Sequence, residues 1–191
     1  MFEHELKNAY IGEVYEYSYD FRGKTSSNLT ADGWTIVKGT PTLNTYWISG
    51  SDIRLTRGID VSNAKKITIS IYGTLSSANS FAWGIAKSVT TSWSVGWTWS
   101  FMSSESNGRQ INIYWTSTEF SWISAWTYTQ TATFDLENKT WKLSTTWKTD
   151  QTWTLTDTDV ANIKNQIAVI YVYTAWSGSN WGLATYSITV E

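Results

Sequence analysis

Across residues 93–101 the chain reads Trp-Ser-Val-Gly-Trp-Thr-Trp-Ser-Phe, with a large apolar side chain at every odd position and a small or polar one at every even position. Successive side chains of a β-strand point to opposite faces, so this period predicts a strand with one aromatic face and one Ser/Thr/Gly face. The same alternation runs through residues 67–72 (Ile-Thr-Ile-Ser-Ile-Tyr), 111–115 (Ile-Asn-Ile-Tyr-Trp) and 185–190 (Thr-Tyr-Ser-Ile-Thr-Val). Residues 166–173 (Gln-Ile-Ala-Val-Ile-Tyr-Val-Tyr) are apolar on both faces, the pattern of a central strand covered on each side. Turn chemistry separates these runs at Asp32-Gly33, Ser51-Asp52, Ser106-Asn107-Gly108, Glu137-Asn138-Lys139 and Ser177-Gly178-Ser179-Asn180. Many short strands with regular turns predict an all-β, antiparallel sandwich or barrel.

One short helix is expected within residues 155–165. Thr156 and Thr158 are N-cap candidates, Asp157 and Asp159 sit in the first turn, and Lys164 lies near the end. Val160 and Ile163, three apart, share a face that can dock on the sandwich edge. The only proline, Pro41, falls between predicted strands, and no repeat of fixed period points to a propeller or solenoid.

Residues 1–17 break the rhythm by mixing charge with Tyr and Ile. Two readings stand: a first strand with a frayed terminus, or a docking arm that lays Leu6, Tyr10, Ile11 and Tyr15 on a partner protein and orders on assembly. The second divides the chain into an arm (1–17) and a sandwich domain (18–191).

The chain has 191 residues, 14 Trp, no Cys and a formal net charge of −2. That length suits a single β-sandwich, and a chain of this size buries roughly 70% of its unfolded surface without staples. The lack of Cys excludes disulfides, thiolate catalysis and Cys-ligated metal. With no basic block beyond Lys65-Lys66, nucleic acid is not an expected partner. No apolar run reaches membrane-spanning length, so no membrane partner is expected either. The first residues carry Glu3 and Glu5 where a signal peptide needs basic residues, and the expectation is a protein either cytosolic when made or exported by other means, such as cell lysis.

Tyr19-Asp20-Phe21 followed by Ala31-Asp32-Gly33-Trp34 resembles the opening strand and Gly-Trp turn of the concanavalin-like and laminin-G-like jelly-roll lectin domains. Residues 134–143 (Phe-Asp-Leu-Glu-Asn-Lys-Thr-Trp-Lys-Leu) resemble a hairpin of that family, and the run to Val190 resembles its last strand. The resemblance implies a jelly-roll β-sandwich with one short helix and an N-terminal extension. Separately, Leu6-Lys7-Asn8-Ala9-Tyr10-Ile11-Gly12 resembles a short phrase found near domain starts in tailed-bacteriophage virion proteins. That likeness implies a surface-exposed virion protein, a capsid decoration or a fibre or adhesin, with other capsid or tail proteins as partners. A homo-oligomer is compatible with it.

Catalytic groups are scarce. His4 is the only histidine, so no Ser-His-Asp triad or histidine metal cluster can form within the fold. Asp135 and Glu137 fall on one strand face in the alternating register, yet the Glu-x-Asp-x-x-Glu strand of jelly-roll glucanases is absent, and the bland reading is two solvated carboxylates entering a hairpin. Asp20, Asp32 and Asp52 are scattered acids without a calcium-loop pattern, so no metal or cofactor is implied. Asn28-Leu29-Thr30 matches the glycosylation pattern and reads as coincidence without a signal peptide.

The aromatics carry the remaining chemistry, because flat sugar C–H faces stack on Trp and Tyr while polar handles read hydroxyls. Trp83, Trp93, Trp97, Trp99, Trp115 and Trp141 continue apolar strand faces and are expected in the core. Better surface candidates are Tyr46 and Trp47, and Trp176, Asn180 and Trp181, which lie in or beside turns, and the pair Trp122 and Trp126, read on one strand face two pleats apart at about 13 Å, a usable interval for an extended glycan. Only Lys87, Glu105, Arg109 and Glu119 are charged between Ile67 and Phe134, a surface better suited to protein contacts or neutral glycans than to bare exposure. Two functions follow: a non-enzymatic virion protein that can bind surface glycans, or a carbohydrate-binding module of a secreted polysaccharide-degrading system.

Overall fold

A computed structural model describes residues 14–50, 52–74, 81–86, 89, 91, 100–105, 110–113, 116–119, 127–146, 149–164, 167–174 and 182–191. In chain order the elements are β1 (Tyr15–Asp20), α1 (Ser26–Ala31), β2 (Thr35–Lys38), β3 (Thr42–Leu43), β4 (Ile48–Ser49), β5 (Arg54–Asp60), β6 (Lys66–Thr74), β7 (Phe81–Ala86) and β8 (Ser100–Glu105). They continue as β9 (Gln110–Ile113), β10 (Thr116–Glu119), β11 (Thr127–Asp135), β12 (Thr140–Thr145), β13 (Gln151–Thr154), α2 (Asp157–Lys164), β14 (Ile167–Thr174) and β15 (Gly182–Val190). Every strand pair is antiparallel.

Two sheets result. The eight-stranded sheet runs β13-β12-β11-β6-β15-β4-β3, with β1 beside β4 on the same edge of β15. The seven-stranded sheet runs β10-β9-β8-β7-β14-β5-β2. One core lies between them, because the inward positions of both sheets join a single buried cluster: Ile67, Ile69 and Ile71 of β6 face Leu55, Trp83, Ile85, Ile170 and Val172. Each such side chain contributes about 1.5–3 kcal/mol by leaving water. The predicted alternation of β6 and β15 is therefore realised as core inside and Ser or Thr outside. The outward registers align Thr189, Thr68 and Thr133 in one cross-strand row and Ser187, Ser70 and Thr131 in the next. As expected for a central strand, β14 lies between β5 and β7, with Ile170 and Val172 in the core and Tyr171 buried as well.

Trp83 and Trp141 are core residues, as their strand positions imply, whereas Trp93, Trp97, Trp99 and Trp115 lie outside the described residues. The indole N–H of Trp83 would be costly to bury alone. It donates to Oε1 of Gln130 at 3.0 Å across the two sheets, and Gln130 Nε2 donates to Thr145 Oγ1 at 3.3 Å.

The expected helix forms as α2. Thr156 Oγ1 accepts from the Asp159 N–H at 3.1 Å while Asp159 accepts from the Thr156 N–H at 2.8 Å, a reciprocal cap that uses the acidic first turn, and Ile163 is buried. A second helix, α1, was not expected. Thr25 and Asn28 cap each other at its start, Leu29 is buried, and Gly33 leaves it at φ +83°. Its signal was a capping box without an apolar period, since six residues are too few to show one. The Asn28 Oδ1 accepts from the Thr25 backbone N–H and hydroxyl in that cap, each at 2.9 Å.

Candidate functional site

Strand register decides what gathers where. Thr74, at the end of β6, pairs with Thr127 at the start of β11 and with Gly182 at the start of β15. In the other sheet, Thr174 at the end of β14 pairs with Phe81, and Ala82 with Glu105 at the end of β8. Glu119 pairs with Gln110. The described flanks of segments 75–80, 106–109, 120–126 and 175–181 therefore stand at one end of the sandwich. The turn at 44–47 lies beside this end, on the edge of β15: antiparallel β4 leaves the turn at Ile48, opposite Leu183, and runs toward the end, while the turn itself faces the close of β1.

That turn is the described part of the candidate site. Asn44 Oδ1 accepts from the backbone N–H groups of Tyr46 at 2.7 Å and Trp47 at 3.0 Å, and the Asn44 N–H donates to the Trp47 carbonyl at 3.1 Å. The Gly23 N–H ties the Asn44 carbonyl to the neighbouring turn at 2.8 Å. Tyr46 is 67% exposed, whereas Trp47 is half-buried. Their rings lie 5.8 Å apart at 46°. A tyrosine held this way presents an apolar face and a hydroxyl to solvent, the combination that packs on a sugar ring.

Several charges described on this side of the sandwich are bound to one another. Arg22 forks onto Asp20 at 2.6–3.1 Å, Lys24 meets Asp32 at 3.6 Å, and Lys38 and Arg54 both pair with Asp52. The three scattered acids thus serve ion pairs, and among the described residues no cluster of metal-ligating side chains exists.

Ionisation is pushed away from neutrality. The hydrogen bonds from Arg22 hold Asp20 below the ordinary carboxylate range, and those from Ser62 and Asn138 do the same for Asp60 and Asp135. Burial raises the phenols of Tyr17, Tyr19 and Tyr186 above theirs. Each of these groups keeps one protonation state across physiological pH and so makes a poor general acid or base.

The pairing of Asp135 with Glu137 on one face is corrected: Asp135 ends β11, and Glu137 lies in the turn beyond it, 3.4 Å from Lys65. Asp135 accepts from the Asn138 backbone and side chain, both at 2.8 Å, so it builds the hairpin. Tyr15, grouped with the arm, stands in β1 opposite Val190 and packs half-buried against the core. Of the other candidates, Leu6, Tyr10, Ile11, Trp122, Trp126, Trp176, Asn180 and Trp181 lie outside the described residues.

No family model matches this sequence, and no curated protein matches it. Solved structures match in fold. Peanut lectin, determined with a 9mer peptide, aligns with a TM-score of 0.62 and 11% identity over 94% of this chain and 98% of its own. Arcelin-5, a lectin-like defense protein from Phaseolus vulgaris, gives 0.62 and 8% over 93% and 98%. The lectin from Bauhinia forficata in complex with GalNAc gives 0.61 and 11% over 93% and 99%.

The fold is a lectin-like jelly roll. Near-complete coverage on both sides means that the whole lectin sandwich is represented, while identities this low carry the architecture alone. The expected resemblance to jelly-roll lectin domains is thereby shown for the fold, and neighbours are legume lectins.

Proposed function

We propose that this chain is a non-enzymatic lectin-like protein that binds glycans toward the end of the sandwich where segments 120–126 and 175–181 are rooted, with the turn at 44–47 on the flanking edge of β15. The observation that carries this reading is the exposed Tyr46 ring, set on an ordered turn whose Trp47 lies against Gly182 at the root of segment 175–181. Trp122, Trp126, Trp176, Asn180 and Trp181 belong to the segments rooted there and are the further contacts we assign. One observation supports the absence of catalysis: Asp135 and Glu137, the one carboxylate pair the sequence offered, are committed to a hairpin and an ion pair. A glycan array followed by calorimetry on the best binder tests the reading. Micromolar to millimolar affinity is expected, weakened at least about tenfold by Tyr46→Ala, which is about 1.4 kcal/mol. Silence of the intact protein across the array sinks it.

The setting we propose is the outside of a tailed-phage particle, as capsid decoration or as a fibre or adhesin, made in the host cytoplasm and released by lysis. The likeness of Leu6-Lys7-Asn8-Ala9-Tyr10-Ile11-Gly12 to virion-protein phrases supports it. Residues preceding β1 form the docking arm in this reading, so a deletion of 1–13 is expected to abolish attachment to particles and leave the sandwich folded. Quantitative mass spectrometry of purified virions measures this directly, and hundreds of copies indicate decoration where a handful indicates a fibre. Absence from particles together with binding to insoluble polysaccharide favours the alternative, a carbohydrate-binding module of a secreted polysaccharide-degrading system.

A further inference from the structure

The hairpin that carries Tyr46 has little sheet to hold it. Strands β3 and β4 are two residues each, they pair only as Thr42 with Ser49 and Leu43 with Ile48, and β4 meets β15 at the single pair of Leu183 with Ile48. Two-stranded ribbons this short are marginal in water. Something else must keep the turn in place.

Gly182 supplies the seat. A Cβ built on Gly182 would stand inside the Trp47 indole, against Cγ and its two ring neighbours. The ring therefore lies directly on the backbone at the start of β15, in the space that any other residue type would fill. The neighbouring strand is equally bare: a Cβ on Gly73, which pairs with Leu183, would come within 2.7 Å of the Gly182 carbonyl oxygen. Gly73 thus leaves room for the Gly182 carbonyl on the neighbouring strand, and the indole rests on the bare backbone of Gly182 itself. Gly182 also directly follows segment 175–181, so the contact fastens the hairpin to the root of that segment.

We infer that Trp47 is a positioning residue that latches the 44–47 turn onto Gly182 and thereby fixes Tyr46 for the ligand. The inference rests on the glycan reading above and assigns different parts to the two aromatics: Tyr46 meets the sugar, and Trp47 acts through it. Holding the contact side chain in place before binding reduces the ordering cost that the complex must otherwise overcome.

The test has two readouts. Hydrogen exchange across residues 44–47 reports the latch without any ligand, since the Asn44, Tyr46 and Trp47 N–H groups are all bonded within the turn. Trp47→Ala and Gly182→Ala are each expected to speed exchange there by about tenfold or more, while Trp47→Phe, which keeps a flat ring for the glycine, stays near the intact protein. Trp47→Ala carries the measurement alone if Gly182→Ala does not fold. Unchanged exchange in Trp47→Ala overturns the latch.

The second readout is a double-mutant cycle on glycan affinity. Trp47→Ala and Tyr46→Ala are expected to weaken binding to similar degrees, with the double variant no weaker than the worse single one. Additive losses would mean that Trp47 touches the glycan itself and would overturn the assignment. If the intact protein binds no glycan at all, the functional reading falls while the exchange measurement still decides the latch.

Discussion

The two ends of this sandwich are built from different chemistry. At the end that carries α2, the connections use their polar groups on one another. The Leu136 N–H bonds the Lys65 carbonyl at 2.8 Å, Leu155 bonds Lys139 at 2.7 Å, and Glu191 exchanges backbone bonds with Lys65 and Lys66. Ion pairs of Lys66 with Glu191 at 2.7 Å and Lys139 with Asp157 at 2.6 Å lie over them, and Ala64, Leu136, Leu155 and Ile163 are buried beneath. The opposite end pairs its charges locally and leaves Tyr46 in solvent. One end closes the core; toward the other, Tyr46 stands exposed. In the proposed reading stability and recognition are separated along the strand axis, so that each can be altered alone.

The sharpest break of that separation comes from Trp141, whose ring stacks on Trp153 at 4.0 Å and on Phe134 at 6.2 Å near the closed end. Trp141→Ala is expected to cost about 3–5 kcal/mol in chemical denaturation. Glycan affinity of the molecules that remain folded should not change. A matching loss of affinity would mean that the two ends are coupled.

Gln130 sits nearer the loop end and probes its foundation. Gln130→Met keeps the bulk but cannot accept from Trp83 as the amide does, so about 1–3 kcal/mol of stability should be lost. Tryptophan fluorescence recorded during urea unfolding measures it. Next in size is the cap of α2, where Thr156→Ala should cost about 1 kcal/mol by the same assay with no effect on binding.

The smallest effect is a pH response at the closed end. Asp135 has its carboxyl held below the ordinary range by the hydrogen bonds from Asn138, so it contributes stability above about pH 4. That contribution disappears as the pH falls through the depressed value. Asn138→Ala should therefore flatten the acid limb of a stability–pH curve. An unchanged limb would show that Asp135 gains nothing from the turn.

The alternation at residues 67–72 and 185–190 was legible because the period of two is local, and so was α2, whose cap and first-turn acids are adjacent in sequence. Three features were not. Helix α1 was hidden because its six residues carry a cap without a period. Tyr15 lies in a charged stretch that reads as an arm, yet β1 finds its partner in β15, at the far end of the chain. Glu137 follows strand parity on paper, but the chain leaves the sheet at Asp135 because Asn138 captures that carboxylate.

The candidate site divides the same way. Turn position singled out Tyr46 and Trp47 together, and nothing local distinguishes them. Their different exposure arises because Gly182, more than a hundred residues away in sequence, offers one of them a bare backbone. By itself the sequence determined the alternating strands at 67–72 and 185–190, helix α2 and the core places of Trp83 and Trp141, since period and turn chemistry act between near neighbours. The tertiary structure alone decided which connections share an end and which aromatic faces solvent, because strand order and register are set by packing between segments that the sequence keeps far apart.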